Sequence, residues 1–393
     1  MNRITLPLYG LTFLSGVVWL AIVPLTPSYT RLLSLSKVEV GMVLASAGLT
    51  TLAMSFPIGV LADRVGTKTL TVGSGIVVAL SCVGQGLAPD FATLLVSRAA
   101  FGVALGTIWT AGIAWISDAS TDYERSSALG LPTTVSGLGI MVGPGFAGLS
   151  AGAFGVRAPF LVLAVAALVT TAALARAPRL ETTYRTESIA ATLRGARRNR
   201  FVVASCAVMV LVGLVNGGIN LLAPLELGRR GFSAGETGIV FSAASAIFVV
   251  VSAKVTRYGG RVVSTRVAGG AALLYALTLL IVVTSGAGAA IVVFLLARAP
   301  FWSTLSTLSY PLGAAGAHDE DLGRGVVMGL LNLVWGAASS VGPLAAGGLA
   351  QGVGERWVWV ALCACCLAVA AFLLGEPRRP RLAPGTEPSV VRP

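Results

Sequence analysis

The chain has 393 residues, of which 55% are hydrophobic and 11% charged, with a mean hydropathy of +0.85 and a formal net charge of +12. Soluble globular domains carry about 25% charged residues, so this composition excludes an ordinary soluble fold and points to lipid as the solvent. A basic excess raises nucleic acid as a partner, and the placement of the charges along the chain argues against it.

A bilayer core about 30 Å thick needs roughly 20 apolar residues per helix. Twelve runs of that kind follow one another, at 6–27, 39–58, 70–88, 91–115, 127–150, 157–177, 201–225, 237–254, 263–284, 287–312, 326–350 and 357–375. The first is preceded by only Arg3 and has no A-x-A cleavage site, so it reads as a retained helix and not a signal peptide. An even number of spans puts both termini on one face. If that face is cytoplasmic, 20 of the 28 Lys and Arg lie inside and six outside, while Arg98 and Arg298 fall within spans. That is the positive-inside asymmetry. The expectation is a multi-pass protein of a plasma membrane, of the bacterial inner-membrane type, with both termini cytoplasmic. Its lipid partner is the bilayer, and nucleic acid is not a partner.

The longest polar stretch, 178–200, divides six spans from six. Landmarks recur across it: Arg125 and Arg324, Gly143 and Gly342, and Arg157 and Arg356 are each 199 residues apart, and Arg98 and Arg298 are 200 apart. Arg64 and Arg257 are 193 apart. Internal duplication is a recurrent architecture of secondary transporters, with the solute site at the repeat interface near the midplane. The expected organisation is a six-helix bundle over 1–177, a basic cytoplasmic linker over 178–200, a second bundle over 201–375 and a disordered tail over 376–393.

Between the second and third runs lies a short charged hairpin, Gly59–Lys68, containing Asp63, Arg64 and Gly66. A reduced copy returns at Ser252–Arg261, with Thr256 where the first carries its acid. Asp63 suits the positive end of a helix, and Arg64 suits a carboxylate; Gly59 suits close approach of a neighbouring helix. Together, Gly59, Leu61, Ala62, Asp63, Arg64, Gly66 and Lys68 resemble a signature of the major facilitator superfamily, with Thr67 departing from it. The rest of the chain resembles its twelve-helix drug:proton antiporter branch. The likeness implies an all-α membrane protein with twelve helices in two pseudo-symmetric six-helix bundles. It also implies a gating latch in which Asp63 faces the start of helix 11 and Arg64 pairs with Asp118.

Three more segments carry the likeness. Gly139, Gly143, Pro144 and Gly148 in the fifth run resemble an antiporter signature, with Ala147 departing from it, and Gly342 and Pro343 repeat it in the eleventh. Glycines allow close helix contact, and proline removes a backbone donor. Pro24 and Pro27 close the first run. Arg98 and Gly102 fit an arginine motif in the fourth, with Phe101 in place of its usual glutamine.

An arginine within a span is a functional hypothesis by default. Arg98 reads either as a fixed charge acting on a proton site or an anionic group, or as a side chain snorkelling to water. Cavity-facing stripes follow from helical spacing: Arg98, Gly102, Leu105 and Trp109; Arg298, Trp302, Ser306 and Ser309; Asn216 and Asn220; Thr12, Gly16 and Trp19; and Asn332 with Trp335. In the superfamily, helices 1, 4, 7 and 10 line the cavity. The plainer reading of these polar groups is interhelical glue, worth about 0.6 kcal/mol per bond.

No Asp or Glu lies near the middle of a run; Asp63, Asp118 and Glu226 are the carboxylates left for proton coupling. Proton coupling therefore rests on the resemblance, and the cavity suits an apolar, neutral or anionic solute. The five cysteines have no metal-ligand spacing with a histidine, so no metal and no cofactor is expected, and no enzyme constellation is present. The reading is a monomeric carrier exporting a small organic solute by alternating access in exchange for protons. An uptake carrier or uniporter for a neutral or anionic metabolite is the alternative within transport, and a non-transporting sensor or scaffold the alternative outside it.

Overall fold

The computed structural model describes residues 5–119, 122–177, 199–258, 263–285, 287–319 and 324–375. Nearly all of the linker and all of the tail expected at 178–200 and 376–393 fall outside the described residues. So do the side chains of Asp63 and Asp118. Among the described residues, twelve helices are long and apolar enough to cross a membrane.

We number these helices α1 to α12. The first, α1 (Thr5–Ala21), continues through a 3-10 turn (Val23–Leu25) into a short helix (Thr26–Leu33). Next come α2 (Lys37–Val65), α3 (Thr67–Leu87) and α4 (Phe91–Thr107), the last extended by a π segment (Ile108–Gly112) and a further turn to Ala119. They are followed by α5 (Asp122–Phe154) and α6 (Ala158–Ala175). The second half comprises α7 (Arg200–Arg229), α8 (Ala234–Tyr258), α9 (Thr265–Thr284), α10 (Gly288–Asp319), α11 (Arg324–Gly352) and α12 (Glu355–Gly375).

Local chemistry sets the helix ends. Ser36 and Glu39 form a reciprocal capping box at the start of α2, and Ser233 and Glu236 form the same device at the start of α8. The duplication seen in the landmarks thus extends to the caps. Asp90 caps α4 by accepting from the Thr93 N–H at 2.8 Å, and that bond holds its carboxyl below the ordinary carboxylate range.

Packing follows the repeat. In the first bundle α1 packs on α5, α2 on α4, and α3 on both α4 and α6; in the second, α7 packs on α11, α8 on α10, and α9 on both α10 and α12. The bundles meet through α2 against α11 and α5 against α8, a pair of contacts exchanged by the same pseudo-twofold. Aromatic side chains such as Phe101, Phe160, Phe294 and Tyr275 are buried inside, while Leu80 and Val165 are over 60% exposed on the perimeter. An apolar perimeter is what lipid requires.

Two expectations are corrected here. The segment Gly59–Lys68 is not a hairpin loop: α2 runs on to Val65 and α3 starts at Thr67, so one residue makes the turn. Gly66 does this with φ +88°, a conformation that favours glycine. The first span likewise does not end at Pro24 and Pro27. Pro24 lies in the 3-10 turn and Pro27 in the first turn of the helix that follows, where a missing N–H leaves no bond unmade.

Candidate functional site

The two faces of the molecule differ. The face opposite the starts of α1 and α7 is called distal here, and contacts between the bundles gather there. Lys37, opening α2, pairs with Glu355 at 2.8 Å and reaches the Ala350 carbonyl at 3.4 Å. Glu355 is also paired with Arg229 at the end of α7. A methyl group at Gly41 would stand 2.6 Å from the Pro343 carbonyl oxygen, so α2 and α11 touch backbone to backbone. On the other side of the molecule the Gly145 N–H donates to Ser242 Oγ at 2.8 Å, joining α5 to α8.

Beneath this closure lies a cavity lined from both bundles. Trp19, Leu20, Val23, Leu44 and Arg98 come from the first; Gly213, Asn216, Gly217, Asn220, Trp335, Ser339 and Pro343 come from the second. The rings of Trp19 and Trp335 meet across the bundle boundary with centroids 6.3 Å apart. Of the residues singled out by spacing, Trp19, Arg98, Asn216, Asn220 and Trp335 are brought together here. Leu20, Leu44, Ser339 and the glycines of α7 were not anticipated, since small and apolar residues carry no distinguishing signal.

Arg98 is 2% exposed and does not snorkel. Its Nη1 donates to the Val18 carbonyl at 3.0 Å and its Nη2 to the Trp19 carbonyl at 2.6 Å. These carbonyls belong to the last turn of α1, where intrahelical donors run out. The guanidinium therefore caps α1 from α4 and faces its negative dipole end. It also lies 5.1 Å from the Phe101 ring, which accounts for an aromatic residue at that position.

Arg298 is 1% exposed and solves its burial differently. Its Nη1 donates to Asn216 Oδ1 at 3.0 Å and to the Tyr275 hydroxyl at 3.1 Å. The guanidinium lies over the rings of Trp302 and Phe294, at 5.0 and 5.9 Å. Arg298 thus stands one side chain behind the cavity wall. Tyr275, in α9, was not anticipated; its signal was a phenol inside an apolar run, which needs a partner once buried.

The remaining residues lie elsewhere. Trp109 falls at the start of the π segment, about 16 Å along the helix axis from Arg98, and does not line this cavity. Gly102 instead lets α4 approach Ala47 and Thr50 of α2. Trp302 packs against Phe248, with ring centroids 4.5 Å apart and the planes tilted by 46°. Asn332 is exposed and accepts from the Tyr310 hydroxyl at 2.7 Å.

Gly143 packs on Val17 of α1, where a methyl group would stand 2.6 Å from its carbonyl oxygen. Gly139 meets Phe13 in the same way, and Gly148 meets Ala234 of α8. Gly342 makes the equivalent approach to Leu214 of α7, and the ring of the adjacent Pro343 lies against Gly217. The backbone carbonyl of Pro144 lies against Gly238.

At the non-distal face a methyl group at Gly59 would meet nothing within 4 Å, so the close helix approach expected there is not made. Arg64 is exposed and makes no ion pair among the described residues. Lys68 donates to the Ala177 carbonyl beyond the end of α6. Glu226 is buried at the distal end of α7, accepting from Trp359 Nε1 at 2.6 Å and Arg230 Nη1 at 2.7 Å, away from the cavity.

Two pseudo-symmetric helical bundles with a cavity lined from both of them are the architecture found in secondary transporters. A profile of the Major Facilitator Superfamily matches residues 8–326, and the chain belongs to that family. It is 32% identical over 148 residues to "Multidrug resistance protein 2" of Bacillus subtilis (strain 168), an alignment covering 38% of this chain and 37% of that one. It is 26% identical over 186 residues to "Quinolone resistance protein NorA" of Staphylococcus aureus (strain MRSA252), covering 47% and 48%. The chain thus spans less than half the length of these curated relatives. Its fold is shared with a bacterial homologue of the human lysosomal transporter Spinster in an inward-facing, unoccupied conformation. The TM-score is 0.76 at 15% identity, over 94% of this chain and 95% of that one.

Proposed function

We propose that this transporter exports a small organic solute by alternating access, in exchange for protons, from a cell whose cytoplasm faces both chain termini. The observation that carries the reading is the cavity shared by both bundles and roofed by α2 against α11. A carrier needs such a site and a roof able to part. The direction of transport draws support from the Gly143–Pro144 segment and from the relatives named for multidrug and quinolone resistance. The charge asymmetry supports the orientation, which makes this conformation inward-facing.

In the same reading, Asp63, Arg64 and Asp118 form a latch that closes the cytoplasmic face in the opposite state. An exposed Arg64 and an uncontacted Gly59 are what an open latch would leave. Asp63→Asn is expected to reduce transport at least tenfold while insertion stays normal, measured as vesicle flux against protein level; wild-type flux would remove the latch.

One observation favours a second reading, an uptake carrier or uniporter for a neutral or anionic metabolite: no Asp or Glu is among the described cavity residues. Everted vesicles with an imposed pH gradient separate the two, using a panel of solutes that includes a quinolone. Accumulation driven by an acidic interior supports export. Flux that ignores the gradient, or runs only in the uptake direction, supports the second reading.

A further inference from the structure

Asn216 lines the cavity from α7, and one end of its amide is already committed. Arg298 carries only donors, so the Asn216 atom 3.0 Å from its Nη1 is the carbonyl oxygen. The guanidinium is held in turn by the Tyr275 hydroxyl and by two aromatic rings. The orientation of Asn216 is therefore set from behind the wall. Its Nδ2 group makes no hydrogen bond to protein among the described residues and is the end left for the cavity. An amide whose oxygen accepts from a cation is polarised, which strengthens its N–H groups as donors. Asn220, one turn further along the same face, also lines the cavity with no protein partner for its amide among the described residues. The apolar part of the wall is the Trp19 and Trp335 pair, and no carboxylate among the described lining residues offers a cation a partner.

We infer that the solute taken by this cavity is aromatic, presents a carbonyl or carboxylate oxygen and is uncharged or anionic. Asn216 is its hydrogen-bond donor and specificity residue; Arg298 and Tyr275 are positioning residues that fix which end of Asn216 faces the solute. This deepens the export reading and rests on it for the solute being one that is carried.

The test uses four probes sharing one ring system: 2-naphthoate, 2-naphthamide, 2-methylnaphthalene and 2-naphthylmethylammonium. Their binding to the purified full chain in nanodiscs is read by quenching of tryptophan fluorescence. Naphthoate and naphthamide are expected to bind about tenfold or more tighter than the other two, the value of one hydrogen bond from a polarised donor. Asn216→Asp keeps an acceptor for Arg298 while removing the donor, and should cost naphthoate about tenfold or more in affinity with an unchanged melting temperature. Asn216→Leu should flatten the ranking, and Tyr275→Phe should weaken it without abolishing binding. Equal affinities for the four probes, no saturable naphthoate binding up to millimolar concentration, or wild-type naphthoate affinity in both Asn216 variants would overturn the inference. If the ranking holds while vesicles move none of the probes, the binding class stands and the transport reading is what fails. If vesicles move a solute and the ranking is absent, the inference fails and transport stands.

Discussion

Arg98 and Arg298 occupy matching places in the two bundles, yet they meet the problem of a buried cation with different partners. Arg98 takes its acceptors from the backbone at the end of α1, so its charge faces a helix dipole. Arg298 takes side-chain acceptors, and through one of them its charge reaches the cavity wall. Arg98 should accordingly matter first for stability. Arg98→Lys keeps the charge but not the fork that spans two carbonyls. It is expected to lower stability by about 1–3 kcal/mol, the scale of a charge-assisted bond lost in a buried setting. Thermal unfolding in detergent checks this; an unchanged melting temperature accompanied by a shifted pH profile of transport would assign Arg98 a role in coupling instead. Sequence spacing placed both arginines inside spans, but their acceptors were not legible there. A backbone carbonyl carries no residue signature, and nothing in the spacing links Tyr275 to Arg298.

At the scale of the helix, small residues let the bundles form and meet. The Gly143 and Gly342 landmarks, 199 residues apart, each sit where two backbones approach, α5 to α1 and α11 to α7. This much was readable, because glycine in an apolar run signals close packing and the repeat identifies the partner position. The π segment of α4 was not readable, since no proline or charge marks Ile108–Gly112, and it is there that Trp109 falls. Two glycines of α5 give a paired prediction. Gly143→Ala places a methyl 2.6 Å from a carbonyl oxygen, whereas Gly152→Ala meets nothing within 4 Å. The first should lower the yield of folded protein severalfold, by overpacking of about 1–3 kcal/mol. The second should leave it unchanged, and the yield of monodisperse protein after extraction decides between them.

For the whole molecule, twelve spans and two halves follow from hydropathy and from near-constant landmark offsets, because lipid allows so few solutions. Which face is closed could not be read, since it is a property of one state and not of composition. The ions that hold the distal face, Lys37, Glu355 and Arg229, sit at helix ends far apart in the chain, where sequence shows only scattered loop charges. Each bundle supplies part of this cluster, so a parting of the bundles at the distal face would break the Lys37–Glu355 pair. A partly exposed ion pair is worth up to about 1 kcal/mol. Lys37→Ala should therefore shift the balance of states toward distal opening by up to about fivefold, with little change in global stability.

That shift is open to direct measurement by electron–electron distance distributions between spin labels. One pair replaces Leu32 and Val353, exposed residues on the distal face of each bundle, and the other replaces Val65 and Tyr258 at the opposite face. If the bundles rock about a central cavity, Lys37→Ala lengthens the Leu32–Val353 distance in part of the population and shortens Val65–Tyr258 in the same fraction. Distances that stay fixed, or that lengthen together at both faces, would contradict alternating access through this cavity.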